Sequence, residues 1–478
     1  MDNVSIHIGS RRELFVDDYL IDILDGTTLK LHEPSSAGVA LTYEEPWEDW
    51  VCSYTTVLRD GDLYRMYYRG RHDGSWTGYA ESSDGIHWTK PRLGLVEFDG
   101  STANNIILNG AVTFFPFLDT RPGVPAAERF KANAVVRSKP EAGLIGYASA
   151  DGLRWRQLQD EPILSTTVEN AFDSQNVMFW SEEEQSYVLY ARHWEGGRRA
   201  TMRATSSDFR AWTHPTFMTY SDTGTTTPSA HLYTNQTQPY FRAPHIYISL
   251  PGRIFFADAE HLVLPDDIVG AGQRSVSPEL RKFYEESLDP RLRDCKGDTS
   301  DGVLLSTRAG STLYDFTFLQ SFVRPGIGME NWTTRNNYPT CGLVQTSPTE
   351  LSFYVKRHCG QRTLYLERMT LRLDGFASLH APYTSGQMRT RPLTFDGREL
   401  EINYATSAAG SVRVELQHLN GTPLVGRSLA DCVAMTGDCI DQVVRWRGGD
   451  GLDDVSGQPI RLKFAMQDAD LYSLRFRA

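Results

Sequence analysis

The residues in this sequence that can do acid–base chemistry stand directly ahead of apolar runs. Phe172 to Trp180 reads FDSQNVMFW, so Asp173, Gln175 and Asn176 precede a stretch that patterns as a buried strand. Comparable segments are EEPWEDW (44–50), FPFLDTRPG (115–123), HLYTNQTQPYFRAPH (231–245) and ENWTTRNNYP (330–339). Their carboxyl groups are Glu48, Asp49, Asp119, Asp173 and Glu330, and breaking a glycosidic bond needs one protonated and one ionised carboxyl. The amides of Gln175, Asn176, Asn235 and Asn331 suit sugar hydroxyls, and the rings of Trp47, Trp332 and Tyr338 suit the apolar face of a sugar. Arg242 and Arg335 add fixed forks of donors, and with His245 they could form a basic pocket for phosphate.

Each of these residues also has a purely structural reading. Asp119 precedes Thr-Arg-Pro-Gly and suits a turn cap, whereas no Gly or Pro follows Asp173 directly. His231 and His245 fit hydrogen-bonded core histidines, and Asp17 or Asp18 in LFVDDYLID fits a tie holding the N-terminus to a neighbouring blade. The acidic run Glu182–Glu184 falls at a hairpin tip and reads as a solvated turn.

The elements that must position these residues are strands. SYTTVLRDGDLYRMYYRG (53–70), NVMFWSEEEQSYVLYAR (176–192), PHIYISLPGRIFFAD (244–258) and TCGLVQTSPTELSFYVKR (340–357) each pattern as two strands around a turn, and FKANAVVRSKPEAGLIGYA (130–148) is a shorter version. A turn marker recurs after three of them: ESSDGIHW, SADGLRW and SSDFRAW, ending in Trp88, Trp155 and Trp212. A fainter copy, STRAGSTLYDF, covers 306–316. Strand-rich units of about 45–95 residues in an all-β chain point to propeller blades. In a propeller the first strand of every blade lines the axis, so the five polar segments would converge there. The fourth unit carries an insertion at about 265–302, in which Ser277 as N-cap and Pro278 at the first position predict a short helix. Clean alternation around Val412, Val414 and Leu416, with an Asn420–Gly421 hairpin turn, predicts a separate antiparallel sandwich. The sequence thus predicts an all-β chain: a five-bladed β-propeller over 1–384 followed by a C-terminal β-sandwich over 385–478.

The formal net charge of −12 argues against nucleic acid as a partner, because no basic stripe compensates the phosphates. No window approaches a membrane span, and MDNVSIHIGSRRELF lacks the apolar core of a signal peptide, so the expected location is the cytoplasm. The six cysteines form no CxxC pair; no metal or other cofactor is expected, and Cys432 and Cys439 are expected as free thiols. The expected partner is a carbohydrate, and a homo-oligomer is compatible with the composition.

ELFVDDYLID, MYYRG, SSDGIHW and the order of the units resemble the five-bladed β-propeller glycoside hydrolases, the superfamily of arabinanases, fructosidases and mannoside phosphorylases. The likeness is nearest to bacterial members with an LFVDDYLI opening and a C-terminal β-sandwich. It implies that Asp49 or Glu48 serves as base or nucleophile, that Asp173 orients the substrate, and that a Glu, by position Glu330, is the general acid. The Arg-Asp-Pro triplet of the fructosidases is absent, since Asp173 is followed by Ser174 and Gln175. The reaction so implied is hydrolysis by paired carboxylates, with non-catalytic sugar binding and phosphorolysis as alternatives.

Overall fold

Apolar residues fall on both faces of the strands, and both faces are covered. In Leu63–Arg69 the side chains of Tyr64, Met66 and Tyr68 join a buried cluster with Val344, Tyr354 and Leu366, while Tyr67 joins another with Phe114, Ala132 and Trp155. A strand buried on both sides belongs to a sheet packed between two others. The computed structural model describes residues 5–71, 76–138, 141–168, 170–256, 278–292, 298–449 and 451–477. It is all-β apart from the helix Pro278–Ser287 and short 3-10 turns. The contacts divide it into two units, Pro34–Thr370 and Met1–Glu33 together with Leu371–Ala478.

Within Pro34–Thr370 the sheets follow chain order. The first runs Ser53–Asp60, Leu63–Arg69, Thr77–Ser82, Ile106–Leu108; the second Val112–Leu118, Phe130–Ser138, Glu141–Ser149, Arg156–Gln157; the third Val177–Ser181, Ser186–Glu195, Arg198–Ser206, Thr216–Phe217. The fourth region is split, Ala243–Ser249 pairing with Gln238–Tyr240 and Leu305–Arg308, and Gly252–Phe255 with His231–Leu232 and Thr299–Gly302. In the last sheet Glu350–Arg357 pairs with Tyr338–Pro339, and Tyr365–Arg372 pairs with Ser35–Thr42, so the unit's first strand completes its last sheet.

The recurring marker folds the same way each time. Ser82, Ser149 and Ser206 each accept the amide three residues on, and Asp84, Asp151 and Asp208 each accept the amides two and three residues on. The side chains thereby satisfy turn amides that have no sheet partner. The indoles of Trp155 and Trp212 donate back to the carbonyls of Gly152 and Phe209.

The other unit holds an eight-stranded sheet built around Arg461–Arg477, flanked on one side by Glu399–Gln417 and on the other by Gly386–Thr390, Ala377–Ala381 and Glu13–Leu14. Ile21–Asp25 and Thr28–Leu31 extend it through Gly386–Thr390 and Ala377–Ala381. The sequence expects a boundary at 384/385, whereas the contacts group 1–33 and 371–384 with this unit, the N-terminal strands pairing with the C-terminal ones. Buried Arg12 fixes that arrangement by donating to Glu401 (2.6 Å), Asp441 (2.8 Å) and Ser473 (2.9 Å). Asp17 Oδ1 accepts the Tyr19 amide within the same segment. The helix begins at Pro278 as expected; its expected cap Ser277 lies outside the described residues, as does Cys295. Cys432 and Cys439 are free thiols.

Burial raises the Asp151 carboxyl, but the amides of Arg154 and Leu153, the Arg154 guanidinium and the Ser149 hydroxyl outweigh it and hold the group at about 2. A carboxyl depressed in the folded state contributes stability above its unfolded value of about 3.9 and loses it as pH falls toward the folded one. Asp151→Asn is expected to destabilise by about 1 kcal/mol at pH 7. In urea titrations across pH, the gap to the wild type should shrink between about pH 4 and pH 2.

Candidate functional site

The segment FDSQN divides into one accessible acid and three structural residues. Ser174, Gln175 and Asn176 are fully buried. Ser174 Oγ donates to the Tyr233 carbonyl, and Asn176 Nδ2 donates to the carbonyls of Phe172 and Ser174. Gln175 Nε2 donates to Thr56 Oγ1 (2.6 Å) and the Tyr54 carbonyl (3.3 Å), while its Oε1 accepts Gln236 Nε2 (3.0 Å). Gln236 Nε2 also reaches the Pro339 carbonyl at 3.4 Å, so two side-chain amides tie together the inner segments of four sheets. Asp173, the one polar residue of the segment that is not fully buried, is half-buried with its carboxyl 3.7 Å from Arg192.

Above this tie lies a pocket lined by Val51, Tyr54, Arg69, Tyr233, Gln236, Arg335, Tyr338, Thr340 and Lys356, among others. None of its lining residues is acidic. It offers about 30 Å³, enough for a carboxylate- or water-sized group. Tyr54, Gln236 and Arg335 all hold left-handed backbone (φ 55°, 50° and 56°), a conformation costly for residues with a Cβ and concentrated at functional sites. Tyr338 reaches its place because residue 252 is glycine: a Cβ there would fall 2.3 Å from the Tyr338 ring.

Cations and tyrosine rings interleave around the pocket. Arg69 lies 4.8 Å from the Tyr54 ring centre and Lys356 5.6 Å from that of Tyr338. Tyr233 is surrounded: Arg199 at 5.1 Å, Arg192 at 5.7 Å and Arg335 at 6.0 Å from its ring centre, with the Tyr338 ring 5.3 Å away. Lys356 is buried and has no carboxylate partner among the described residues. The Tyr338 hydroxyl, Thr340 Oγ1 and Gln236 Oε1 are buried without a hydrogen-bond partner among the described residues, which marks polar capacity for a ligand. Burial pushes the phenols of Tyr54 and Tyr338 up. Burial acts the same way on Tyr233, but Arg335, then Arg192 and Arg199, outweigh it against the opposing Asp173 and hold that phenol below its ordinary value. His231, behind Arg199, is pushed down to about 4 by burial and then by Arg199 and Arg198, so it is neutral at neutral pH.

Of the residues expected from sequence, Arg335 and Tyr338 line the pocket and Asp173 flanks it through Tyr54 and Tyr233. Asp49 lies just outside the lining, its Oδ1 accepting the amide of Val51 and its own amide bound to the Gly70 carbonyl beside Arg69. The others serve elsewhere. Glu48 is locked by Lys90 (2.7 Å) and the Tyr68 hydroxyl (2.6 Å), and the indole of Trp47 is bound to Asn105. Asp119 is buried against Lys131 (2.5 Å) and the Tyr187 hydroxyl. Asn235 bonds the Tyr190 carbonyl and the Thr237 amide. Arg242 sits in the turn between Gln238–Tyr240 and Ala243–Ser249, and His245 is buried on the latter strand. Glu330 and Asn331 lie in a 3-10 turn, Glu330 close to His358. Trp332 lines a different hollow of about 420 Å³ with Phe255, Asp301 and Arg324. Sequence reasoning did not single out Tyr54, Arg69, Arg192, Arg199, Tyr233, Gln236 and Lys356. One signal was present: RMYYRG, VLYARHW and LSFYVKR each place a basic residue at the end of an apolar strand.

No family model matches the chain. An uncharacterized protein of Mycobacterium tuberculosis is 30% identical over 166 residues, 32% of this chain and 49% of that protein, so the chain spans about half the length of the curated relative it matches. Solved structures similar to it include glycoside hydrolases. One glycoside hydrolase has 12% identity and a TM-score of 0.46, covering 71% of this chain and 92% of its own. A structure from the GH130 family of mannoside phosphorylases, which contains glycoside hydrolases that target β-1,2 mannosidic linkages in Candida mannan, has 12% identity and a TM-score of 0.41, with 74% and 95% covered. A family 43 arabinoxylan arabinofuranohydrolase from Bacillus subtilis has 9% identity and a TM-score of 0.41, with 93% and 99% covered.

Because Gln175 joins segments distant in the chain, Gln175→Ala leaves Thr56 and Gln236 unsatisfied and is expected to cost about 2–4 kcal/mol in chemical denaturation.

Proposed function

We propose that Pro34–Thr370 is a five-bladed propeller, that the remaining unit is a β-sandwich, and that the pocket at Tyr233 is the active site of a glycosidase. The observation that carries this reading is a solvent-reachable carboxyl, Asp173, beside a pocket of tyrosine rings and unsatisfied polar atoms. Rings and hydroxyls of this kind hold a sugar by its apolar face and its edge. Asp173, rather than Glu330, takes the role of general acid, because Asp173 stands beside Tyr54 and Tyr233 of the lining whereas Glu330 lies in a 3-10 turn close to His358. The second carboxyl of the paired scheme has no counterpart among the lining residues.

The ammonium of Lys356, which has no carboxylate partner among the described residues, favours a second reading, phosphorolysis, with inorganic phosphate seated against Lys356 and Arg335. There a phosphate oxygen attacks the anomeric carbon, the glycosidic C–O bond breaks, and the Asp173 proton goes to the leaving oxygen.

Turnover of an aryl-glycoside panel with and without inorganic phosphate separates the two. Phosphate-independent release of free sugar supports hydrolysis; strict phosphate dependence with a sugar 1-phosphate product supports phosphorolysis. In either case Asp173→Asn is expected to lower kcat about 10²–10⁴-fold. Full activity of that variant removes Asp173 from the chemistry, and absence of any turnover across the panel removes the enzyme reading. Lys356→Gln should abolish phosphate-dependent turnover in the phosphorolytic case and change hydrolysis little.

A further inference from the structure

We propose that Tyr233 is the second catalytic group of this site, its phenolic oxygen attacking the anomeric carbon while Asp173 protonates the leaving oxygen. The inference rests on the reading of the pocket as a hydrolase site and names the group that takes the place of the second carboxylate.

Geometry carries it. Tyr233 is buried yet lines the pocket, and its hydroxyl makes no hydrogen bond to another described residue. Its backbone is fixed on both sides, the amide donating to the Gly252 carbonyl (2.7 Å) and the carbonyl accepting Ser174 Oγ (2.9 Å). A nucleophile needs that kind of pre-positioning. Three guanidinium groups stand within 6.0 Å of its ring centre. Arg199 is packed among Trp194, Tyr233 and Phe256 and, like Lys356, has no carboxylate partner among the described residues. A buried cation is costly unless something nearby can carry negative charge. In this cluster the acidic groups are Asp173, held by Arg192, and the Tyr233 phenol. The same cations favour the phenolate, and the direction in which they move Tyr233 is opposite to that of its neighbours Tyr54 and Tyr338. An activated phenol beside one carboxyl is a complete set for two-step hydrolysis.

In the first step the Tyr233 oxygen forms a bond to the anomeric carbon, the bond to the leaving oxygen breaks, and the Asp173 proton passes to that oxygen. In the second, Asp173 takes a proton from water, the water oxygen bonds to the anomeric carbon, and the electron pair returns to Tyr233. One water is consumed, and two inversions give net retention at the anomeric centre.

The test uses the whole chain and a glycoside that the wild type cleaves. Tyr233→Phe is expected to lower kcat at least about a thousandfold with its melting temperature unchanged. Wild type quenched with the corresponding activated 2-deoxy-2-fluoro glycoside should carry the sugar on the peptide containing Tyr233 by mass spectrometry. Turnover by Tyr233→Phe within about tenfold of wild type overturns the proposal. So does an adduct on a different residue, or an inverted product without any adduct. If Tyr233→Phe does not fold, the wild-type adduct and product stereochemistry decide. Wild type that cleaves no glycoside fails at the earlier reading, whereas wild type that cleaves while Tyr233→Phe does too fails at this one alone.

Discussion

The constraint on which the site depends is the pair of buried amides at Gln175 and Gln236. Strands from different sheets meet there with their ladders already used, and their innermost backbone groups need partners that no neighbouring strand supplies. Gln175 serves Tyr54 and Thr56, Gln236 serves Gln175 and Pro339, and Ser174 holds Tyr233. Each of these bonds ends on a segment that also lines the pocket, so the network satisfying the core sets the position of Tyr54, Tyr233 and Tyr338.

The electrostatics of the site run against those of the chain. A protein with a net charge of −12 gathers Arg69, Arg335 and Lys356 on the walls of one pocket and Arg192 and Arg199 behind it. The rings of Tyr54, Tyr233, Tyr338, Trp194 and Phe256 offer their faces to the cations and help to hold such a concentration together. The aromatic residues are therefore part of the charge balance, not merely its packing.

Much of the strand pattern was legible, because hairpins such as LRDGDLY and the Ser-x-Asp turns depend on local chemistry. The recurring tryptophans and the Pro278 start of the helix are local signals of the same kind. The place of 1–33 was not legible, since its pairing with 377–390 and 473–474 is decided by partners far along the chain. The polar segments ahead of the strands were visible as such, but their side chains divide between core and pocket for reasons of direction that spacing does not reveal. Gln175 and Asn176 are buried in the core, Glu48 meets Lys90 42 positions away, and Asp119 meets Lys131 on the next strand. The cations at the strand ends read as ordinary hairpin solubility residues until the topology brings them together.

The pairing of Ser35–Thr42 with Tyr365–Arg372 has a consequence for biosynthesis. Ser36 and its partner Glu367 are 331 positions apart, so an edge made early leaves the ribosome long before the strand that covers it. Until then the nascent chain presents unpaired amides and carbonyls along Ser35–Thr42, the state in which β-rich chains join one another instead of themselves. Ser35, Ser36 and Val39 of this border strand are exposed, so the surface it offers to such encounters mixes hydroxyls with a valine side chain until its partner strand is made.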